Sequence, residues 1–320
     1  IFLDKNPYAA SMKERWQYLV EPSQQKGDAK KLEYEELTDL KVADLACGSG
    51  HILNECFDIL FDLYTFEGYT RKETVENIFQ KNLTGIDLDT RAQQLSKFAL
   101  LLKACQRDAS FADAHCMPNV LTMPKPFDEE KNGCVAGFLH HFFMGNETEK
   151  TKEEIVDAYE LMNDADSLGS IMKFDISDST RLALQQMVDY WDSQSFVPEI
   201  ITEQLPALRL ILTLTDKYSA LVLNPPYMGG SNMNATLSRY VRNNYNYGKA
   251  DLFSVFMLLA EDRLLNEGYY GMINMQSWMF LTSFEDLREH ILNNSIIESM
   301  LHLGPRTFDE LSGEVVQNTA

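Results

Sequence analysis

The chain alternates between short apolar runs and longer segments in which apolar residues recur at helical spacing. The short runs, which predict strands, lie at 41–45, 82–87, 218–223, 269–274 and 296–303. The helical repeats lie at 52–64, 70–80, 90–106, 179–191, 198–213, 251–265 and 284–292. The run at 218–223 is almost continuously apolar, as expected for a strand buried on both faces. Strands that alternate with helices predict an α/β fold with a mostly parallel sheet, helices on both faces and helical insertions.

One of these helices shows its apolar positions clearly. In the repeat at 90–106, apolar residues recur at helical spacing, namely Leu95, Phe98, Ala99, Leu102 and Cys105. This spacing predicts a helix over 90–106.

The first 41 residues differ from the rest of the chain. They are polar and helix-prone, with predicted helices at 11–20 and 30–40. We interpret residues 1–41 as a helical lead-in to a main domain at 42–320. The chain starts at Ile1 rather than at a methionine, and its last residues resemble a turn entering a strand, so we expect it to be a fragment of a longer protein.

The main domain contains two stretches in which the alternation is lost. Prolines, a glycine-rich patch and an acidic helical segment occupy residues 117–164, which predicts an insertion there. A second insertion is predicted at about 172–215. Between the two, residues 165–171 are expected to bring the chain back to the sheet.

Composition is that of an ordinary soluble globular protein, with 45% hydrophobic and 24% charged residues. The net charge of −20 disfavours long-range attraction to a polyanion such as nucleic acid. The charge is unevenly distributed, because the residues between Tyr227 and Ala250 include Arg239, Arg242 and Lys249 but no acidic residue. A basic surface on an acidic body is therefore compatible with the sequence.

Neither a membrane segment nor a metal site is predicted. No apolar run reaches the roughly 18–20 residues that a membrane-spanning helix needs. The five cysteines form no Cys-x-x-Cys pair, and an odd number of cysteines in a chain of 320 residues favours reduced thiols in the cytoplasm.

The first candidate functional motif is Asp44-Leu-Ala-Cys-Gly-Ser-Gly50, which lies between a predicted strand and a predicted helix. Glycines at such a turn let backbone N–H groups approach a ligand, and α/β folds bind ligands at the carboxyl edge of the sheet. The carboxylate of Asp44 suits a ligand that carries an ammonium group, such as the amino-acid part of methionine. The alternative is a tight strand–helix turn that binds nothing.

A second acidic motif, Gly85-Ile-Asp87, ends the next predicted strand. An acidic residue in this position can accept both ribose hydroxyls of an adenosine-containing ligand. The spacing from Gly48 exceeds the roughly 20 residues typical of dinucleotide-binding proteins, and the additional helix predicted at 70–80 accounts for the difference. Asp89 is an alternative, but it better fits the N-terminus of the following helix.

The most specific motif is Asn224-Pro-Pro-Tyr227, directly after the buried strand predicted at 218–223. Two prolines fix the backbone and remove N–H donors, which leaves the Asn224 side-chain oxygen and the Pro225 carbonyl as a fixed pair of acceptors. Such acceptors would pull on the hydrogens of an aromatic amine and stabilise the positive charge that forms on the nitrogen during methyl transfer. Tyr227 can stack on an extruded base. An ordinary Asn-Pro turn after a strand is the structural alternative.

The order of these three motifs resembles that of the amino-group DNA methyltransferases of the gamma arrangement. Two later segments resemble further motifs of that family, namely Lys249-Ala-Asp-Leu-Phe253 and Gly271-Met-Ile-Asn-Met-Gln-Ser-Trp278 with the following Phe284-Glu-Asp-Leu-Arg288. Two fuller strings resemble the PglX-type methyltransferases of BREX phage-defence systems and the related type IIG restriction–modification enzymes. These strings are Ala46-Cys-Gly-Ser-Gly-His-Ile-Leu53 and Ala165-Asp-Ser-Leu-Gly-Ser170.

The resemblance, which extends over 42–320, implies a Rossmann-like class I methyltransferase that uses S-adenosylmethionine. It implies methylation of adenine N6 in double-stranded DNA with a flipped adenine, and other subunits of a phage-defence complex as partners. The residues implied to act in catalysis are Asn224, Pro225, Pro226 and Tyr227. Those implied to bind the cofactor are Asp44, Ala46, Cys47, Gly48, Gly50, Asp87, Leu88 and Asp166.

Within that cofactor set, the resemblance assigns Asp44, Gly48 and Gly50 to the methionine part, Asp87 to the ribose and Asp166 to the adenine amino group. The long stretch between Asp166 and Asn224 leaves three alternatives to Asp166, which are Asp113, Asp164 and Asp175.

The chain departs from the family pattern in three respects. Leu45 stands where the family usually has proline. The Thr-Pro-type cofactor motif that precedes the first glycine loop is not visible in 1–41, and the target recognition domain expected downstream is absent.

Two other functions are compatible with these motifs. A methyltransferase of the same fold could act on a protein glutamine or an RNA base, because the acceptor pair serves any planar amide or amine. A cofactor-binding scaffold of a defence complex that does not methylate is the other alternative, and the intact Asn224 and Tyr227 argue against it.

Overall fold

The computed structural model describes residues 1–16, 19–20, 30–113, 116–140, 142–143, 145, 147–304 and 318–320. Their α-helices are α1 (Phe2–Lys5), α2 (His51–Phe66), α3 (Arg71–Asn77), α4 (Thr90–Arg107), α5 (Glu129–Asn132), α6 (Val135–Leu139), α7 (Glu149–Leu161), α8 (Ala165–Leu168), α9 (Asp178–Ser193), α10 (Glu199–Thr215), α11 (Ala235–Asn244), α12 (Leu252–Arg263) and α13 (Glu285–Asn294). Their strands are β1 (Val42–Asp44), β2 (Leu83–Asp87), β3 (Asn119–Thr122), β4 (Tyr218–Leu223), β5 (Leu264–Met272), β6 (Asn274–Met275), β7 (His302–Gly304) and β8 (Asn318–Thr319).

Five of these strands form one sheet in the order β3-β2-β1-β4-β5, and every neighbouring pair in it is parallel. Parallel neighbours need crossover connections, which the helices supply. A second, small sheet has the order β6-β8-β7 and is antiparallel. It begins directly after β5.

Alternate strand residues pack into two cores, one on each face of the parallel sheet. In β1, Val42 packs against one core and Ala43 belongs to the other; in β2, Leu83 and Ile86 divide in the same way. Helices α2, α3 and α4 contribute to the core that contains Leu83, and α7, α9, α10, α12 and α13 contribute to the other. The predicted arrangement of helices on both faces is confirmed.

The strand order reverses between β1 and β4. From β1 the chain moves outward to β2 and β3, whereas β4 lies on the other side of β1 and leads outward to β5. Such a switch point creates the crevice in which open α/β folds bind ligands, at the carboxyl ends of the strands. Because β1 ends at Asp44 and β4 at Leu223, two of the predicted motifs flank this crevice.

The N-terminal lead-in does not form the two predicted helices. The described part of 11–20 belongs mainly to a 3₁₀ helix at Pro7–Arg15, and that of 30–40 contains only the turn Leu37–Asp39. Residues 17–18 and 21–29 lie outside the described residues. The segment is held instead by large buried side chains, such as Phe2, whose ring meets Phe66 of α2 edge-on at 6.4 Å between centroids.

The helix predicted at 90–106 is confirmed as α4, but the large apolar residues of its repeat are not all on its inward face. Leu95, Phe98 and Leu102 are about half exposed, whereas Ser96 and Ala104 are buried. The physical reason lies in the glycine loop after β1, since Ser96 sits against Gly50 where a larger side chain would collide. The glycine loop therefore requires a small residue at Ser96 on the inward face of α4, where Leu100 and Ala104 are also buried, while Leu95, Phe98 and Leu102 turn outward.

Two further differences lie later in the chain. β3 lies inside the stretch interpreted as an insertion from residue 117. The sequence pattern did not predict this four-residue strand because prolines stand on both sides of it. Of the strand predicted at 296–303, only the end belongs to β7; the apolar residues before it, such as Ile296, are exposed and join no sheet. Residues 165–171 bring the chain back beside the sheet as α8 and a 3₁₀ turn.

None of the helices in the described part of the chain combines the length and apolarity needed to cross a membrane. Among the same residues, no group of three or more His, Cys, Asp or Glu side chains is placed to hold a metal ion.

We expect Gly85→Ala to destabilise the fold, since β2 leaves no room for a methyl group. A Cβ atom at Gly85 would lie 2.6 Å from Leu53 Cδ1 and 3.1 Å from Val120 Cγ1. Overpacking of this kind typically costs about 1–3 kcal/mol, which denaturant titration can measure as a lower free energy of unfolding. Gly271→Ala in β5 is the matched control, because a Cβ atom there meets nothing within 4 Å. Equal losses in the two variants would contradict the packing described for β2.

Candidate active site

The loop after β1 is shaped by its own carboxylate. Asp44 is buried, and its Oδ1 accepts a hydrogen bond of 3.0 Å from the backbone N–H of Ala46. Burial raises the pKa of Asp44 to about 7, and the negative charge of Asp87 adds to the rise. A buried carboxylate of this kind is stabilised in its charged form by a nearby cation, so Asp44 is suited to an ammonium group.

Two glycines of this loop have left-handed backbones for different reasons. Gly50, at φ +84°, precedes α2, and a Cβ atom there would lie 2.4 Å from Ser96 Oγ. Gly48, at φ +52°, would place a Cβ atom with nothing within 4 Å. Gly50 is thus required for packing against α4. Gly48 instead presents bare backbone to open space near the N-terminus of α2, as a ligand-binding turn requires.

The second acidic motif is joined directly to this loop. Asp87 Oδ2 accepts a hydrogen bond of 2.7 Å from the Gly48 N–H, and Oδ1 accepts one of 2.8 Å from the Asp89 N–H. A carboxylate offers about four lone-pair positions, so two remain for the hydroxyls of a ribose. Asp89 caps α4 by accepting from the Arg91 N–H at 2.7 Å, which is the alternative role that its position indicates.

The segment from Ala165 to Ser170 borders both loops. Ser170 Oγ donates a hydrogen bond of 2.6 Å to the Leu45 carbonyl, and a Cβ atom at Gly169 would lie 4.0 Å from Leu88 Cδ1. These contacts bring the resembling string at 165–170 to the edge of the crevice. Asp166 itself is exposed on α8, and its assignment to a ligand stays a prediction.

The three alternatives to Asp166 cannot be ranked by the exposure of their side chains. Asp164 and Asp175 are also exposed, and the side chain of Asp113 lies outside the described residues. Exposure therefore does not favour one of these carboxylates over another. The segment that contains Asp166 is linked to the crevice by the hydrogen bond from Ser170 to Leu45.

Beside the glycine loop, the chain leaves β4 through Asn224-Pro-Pro-Tyr227. The strand register pairs Ala43 with Leu221, and its continuation by three residues places Ala46 beside Asn224. Neighbouring strands lie about 4.8 Å apart, so the two loops start side by side. Asn224 is exposed and Pro225 is buried, so the amide is presented from an anchored turn.

Tyr227 is fixed at its hydroxyl and at its ring. The hydroxyl donates to the Ile273 carbonyl at 3.1 Å and to Asn224 Oδ1 at 3.4 Å. The ring meets Phe253 edge-on at 6.1 Å between centroids. Burial raises the pKa of Tyr227 to about 12, so the hydroxyl is protonated at neutral pH. The ring is only partly buried, which leaves surface for stacking.

The chain after Tyr227 forms a closed excursion, residues 229–251, which contains α11. The Met228 N–H donates to Asp251 Oδ1 at 2.9 Å, and the Gly230 N–H donates to the Ala250 carbonyl at 2.9 Å. Asp251 also caps α12. The excursion thus leaves and re-enters the fold at one place, directly after the tyrosine.

Most residues predicted for the site are therefore gathered around one crevice, with one qualification and several additions. The side chain of Cys47 is buried beside Gly85 rather than at the crevice, so any contact it makes with a ligand comes from its backbone. The supporting roles of Ser96, Ser170 and the Ile273 carbonyl were not predicted. The local sequence pattern did not indicate these roles, because each depends on a contact between elements distant in sequence.

Comparison with known families identifies the family of this chain. Residues 81–308, more than half of the chain, match the family model described as Eco57I restriction-modification methylase. The chain belongs to this family. The matched residues include Asp87 and the loop at 224–227, and the match confirms the expected kinship with restriction–modification methyltransferases.

Two curated relatives of this Eco57I-family chain extend the similarity to the glycine loop. Adenine-specific methyltransferase BrxX of Escherichia coli O9:H4 (strain HS) is 33% identical over 335 residues, which cover 97% of this chain and 28% of that protein. Adenine-specific methyltransferase PglX of Lacticaseibacillus casei (strain Zhang) is 35% identical over 316 residues, 95% of this chain and 25% of that protein. The chain thus spans about a quarter of the length of these relatives, and the resemblance to PglX-type methyltransferases is confirmed.

Two solved structures share the fold. The DrdV–DNA complex superposes with a TM-score of 0.50 at 13% identity and covers 89% of this chain and 23% of that chain. A nuclease-deletion mutant of the Type ISP restriction-modification enzyme LlaGI, in complex with a DNA substrate mimic, gives a TM-score of 0.51 at 13% identity, with 88% and 20% covered. With its parallel sheet and switch point, the Eco57I-family chain has the predicted Rossmann-like fold of class I methyltransferases.

For this Eco57I-family chain we expect Asp44→Asn to remove a pH dependence of stability. The folded pKa of Asp44 is about 7, against an ordinary 3.8, so between these values the folded chain retains a proton that the unfolded chain has released. The contribution of Asp44 to stability therefore falls as the pH rises from about 4 to about 7, and is constant above that. Over this window the free energy of unfolding of the variant, measured by urea titration, should rise relative to that of the wild type by on the order of 1.4 kcal/mol per pH unit. A difference that is independent of pH would contradict the buried, perturbed state of Asp44.

A second expectation concerns the closed excursion. A Cβ atom at Gly230 would lie 2.6 Å from the Lys249 carbonyl oxygen, so Gly230→Ala must open the pairing with Ala250. Opening should expose Arg239 and Arg242 to trypsin and speed cleavage there by roughly tenfold under native conditions. Gly229→Ala is the matched control, since its Cβ atom would have Asp251 Oδ2 at 3.9 Å as its nearest neighbour. The same cleavage rate in both variants would show that this pairing does not close the excursion.

Proposed function

We propose that this chain is the catalytic domain of a site-specific DNA adenine-N6 methyltransferase that uses S-adenosylmethionine and serves restriction–modification or BREX-type phage defence. One observation carries the proposal: the glycine loop after β1 and the Asn224–Tyr227 loop after β4 leave adjacent parallel strands at the switch point. A methyl donor held by the first loop and an amine held by the second would be neighbours. Direct transfer between two bound molecules requires this proximity.

The glycine loop and Asp87 offer the groups that S-adenosylmethionine needs. The Asp44 carboxylate suits the ammonium group of the methionine part, and the bare backbone at Gly48 suits its carboxylate. Asp87 has lone pairs left for the ribose hydroxyls beyond its two backbone bonds. Leu88, which is exposed on the loop after β2, and Asp166 would border the adenine ring. When bound, the cofactor supplies an electrophilic methyl group on a sulfonium sulfur.

The Asn224 loop offers the chemistry that activates the amine. The exocyclic nitrogen of adenine is a poor nucleophile because its lone pair is delocalised into the ring. Asn224 Oδ1 and the Pro225 carbonyl would each accept a hydrogen bond from one of its two N–H groups and stabilise the positive charge that develops on the nitrogen. The buried Pro225 and the adjacent Pro226 fix the backbone, so the acceptors need little rearrangement.

Tyr227 would hold the base flat against this acceptor pair. Its ring is braced by Phe253 and its hydroxyl by the Ile273 carbonyl, so the stacking surface has a defined orientation. A base inside a duplex cannot reach such a crevice, and enzymes that modify bases extrude the nucleotide into a pocket. The proposed partner is therefore double-stranded DNA with a flipped adenine.

The relatives support adenine and DNA as the substrate. Both curated relatives are named adenine-specific methyltransferases, and both solved structures of similar fold contain DNA or a DNA mimic. Under this proposal the protein acts in the cytoplasm, where the DNA is, alongside other subunits of a phage-defence complex.

A second candidate substrate is favoured by the charge of the chain. The acceptor pair would serve the planar amide of a protein glutamine or the amine of an RNA base equally well. The net charge of −20 favours the glutamine, since RNA is a polyanion like DNA. A scaffold that binds the cofactor without methylating is not favoured, because Asn224 is exposed at the crevice and Tyr227 is braced beside it.

Asn224→Ala should abolish the proposed reaction without loss of cofactor affinity. Removal of one preorganised hydrogen-bonding group at a reacting centre typically lowers kcat by about 100- to 1000-fold. The measurement is transfer of labelled methyl groups from S-adenosylmethionine to host genomic DNA by the intact protein, followed by identification of the methylated nucleoside. Cofactor affinity, measured by calorimetry, should stay within about twofold, since Asn224 lies outside the glycine loop.

Asn293→Ala is the matched control, because Asn293 is an exposed asparagine on α13. It should methylate DNA at the wild-type rate. Undiminished methylation by the Asn224 variant would exclude the proposed mechanism. Transfer by the wild type to glutamine or RNA, with none to DNA, would establish the second candidate instead.

A further inference from the structure

The excursion at residues 229–251 is basic in an otherwise acidic chain. Its exposed cations are Arg239 and Arg242 on α11 and Lys249 near its end, and no acidic residue occurs between Tyr227 and Ala250. The whole chain, by contrast, has a net charge of −20. The excursion that follows the predicted amine-binding loop is thus a locally basic segment of an acidic chain.

The two arginines of α11 have no carboxylate to neutralise them. Four other arginines each form an ion pair with an aspartate, namely Arg91, Arg107, Arg181 and Arg209. Within the described residues, Arg239 and Arg242 form neither an ion pair nor a hydrogen bond. Guanidinium groups left unpaired in a protein so rich in carboxylates are available to an external anion.

α11 presents both arginines on one face. Residues three apart in a helix are neighbours on its surface, and Leu237 and Val241 are buried on the opposite side. The helix is fixed at its start by Asn234, whose Oδ1 accepts from the Leu237 N–H at 2.8 Å. The exposed face is therefore carried by an anchored helix.

The acidic groups near α11 do not neutralise the charge of its exposed face. The tie between α11 and α8 is at its N-terminal cap, where Asn234 Nδ2 donates to Ser167 Oγ at 3.3 Å beside Asp166. Behind the helix, Asp262 is neutralised by an ion pair with Lys173. Arg239 and Arg242 lie one and two turns beyond the cap, on the solvent side.

The position of α11 sets which part of a nucleic acid it could reach. The excursion closes directly after Tyr227, and α11 has ten residues, or about 15 Å of length at 1.5 Å per residue. One DNA strand advances about 3.4 Å per nucleotide, so this length corresponds to roughly four nucleotides. α11 begins eight residues after Tyr227, and the bond between Met228 and Asp251 closes the excursion beside the predicted base-binding loop, which keeps the helix near the nucleotides that flank the base.

We propose that the exposed face of α11, with Arg239 and Arg242, and Lys249 beside it, binds the phosphate backbone that flanks the target base. The proposal rests on the proposed function and names the surface through which an acidic domain holds a polyanion. Phosphate contacts carry no sequence information, so this surface would position the duplex while another part of the protein reads its sequence. It also resolves how a chain with a net charge of −20 approaches DNA: the body repels, and one face attracts.

The test is the salt dependence of duplex binding by the intact protein with Arg239→Gln and Arg242→Gln combined. Loss of two phosphate contacts should reduce the slope of log affinity against log salt by about 2, and weaken binding by roughly tenfold or more at about 0.1 M salt. The rate at saturating DNA and the affinity for S-adenosylmethionine should stay within about twofold, because neither arginine contacts the crevice loops. The unchanged cofactor affinity also reports that the variant is folded.

The matched control combines Arg91→Gln with Arg209→Gln, which removes the same charge from two arginines already paired with aspartates. It should leave the slope unchanged. A wild-type slope in the α11 variant, or an equal reduction in the control, would overturn the proposal while leaving the Asn224 result and the proposed function intact. Reduced slope in the α11 variant of a protein that binds duplex DNA but methylates none would support the surface and refute the function. Dependence on the arginines for RNA but not for duplex DNA would also overturn it.

Discussion

The parallel pairing of β1 with β4 is the constraint on which the rest of the site depends. Each strand ends in a motif that has little use alone: a bare glycine turn after Asp44 and a proline-locked acceptor pair after Leu223. The register that pairs Ala43 with Leu221 makes the two motifs neighbours. Because both strands are largely buried between two cores, a slip of one residue would move each side chain to the core on the opposite face and disrupt the close packing of both, so the register is strongly fixed.

Bonds from neighbouring elements then hold each loop in place. Asp87 reaches the glycine loop from β2, Ser170 reaches Leu45 from the far side of a long insertion, and Asp251 ties down the backbone after Tyr227. In each case a side chain from one element binds the backbone of another. A site supported in this way is preorganised, because its groups need not move to meet a ligand.

The sequence was informative wherever a structural feature is local. Strand and helix periodicity located β1, β2 and β4 and the helices between them, and the glycine, acidic and Asn-Pro-Pro-Tyr motifs located the crevice because loops at the ends of parallel strands must share an edge. The errors arose where tertiary packing overrides local pattern. Gly50 admits only a small side chain at Ser96 on the inward face of α4, which the apolar repeat of the helix does not indicate, and the sheet includes β3 from a proline-rich stretch. The choice among the carboxylates around Asp166 depends on side-chain placement, which no periodicity encodes.

The distance along the chain between β1 and β4 also governs how the domain can assemble. The Lys41 N–H donates to Ser219 Oγ at 3.2 Å across 178 residues, whereas β1 and β2 pair Val42 with Leu83 after a much shorter connection. Since closing a longer loop costs more entropy, the pairing of β1 with β2 is favoured to form before the pairing of β1 with β4. Until β4 arrives, the edge of β1 offers unpaired backbone groups to any passing strand. The pairing that makes the crevice is thus also the step at which a growing chain is most exposed to misassembly.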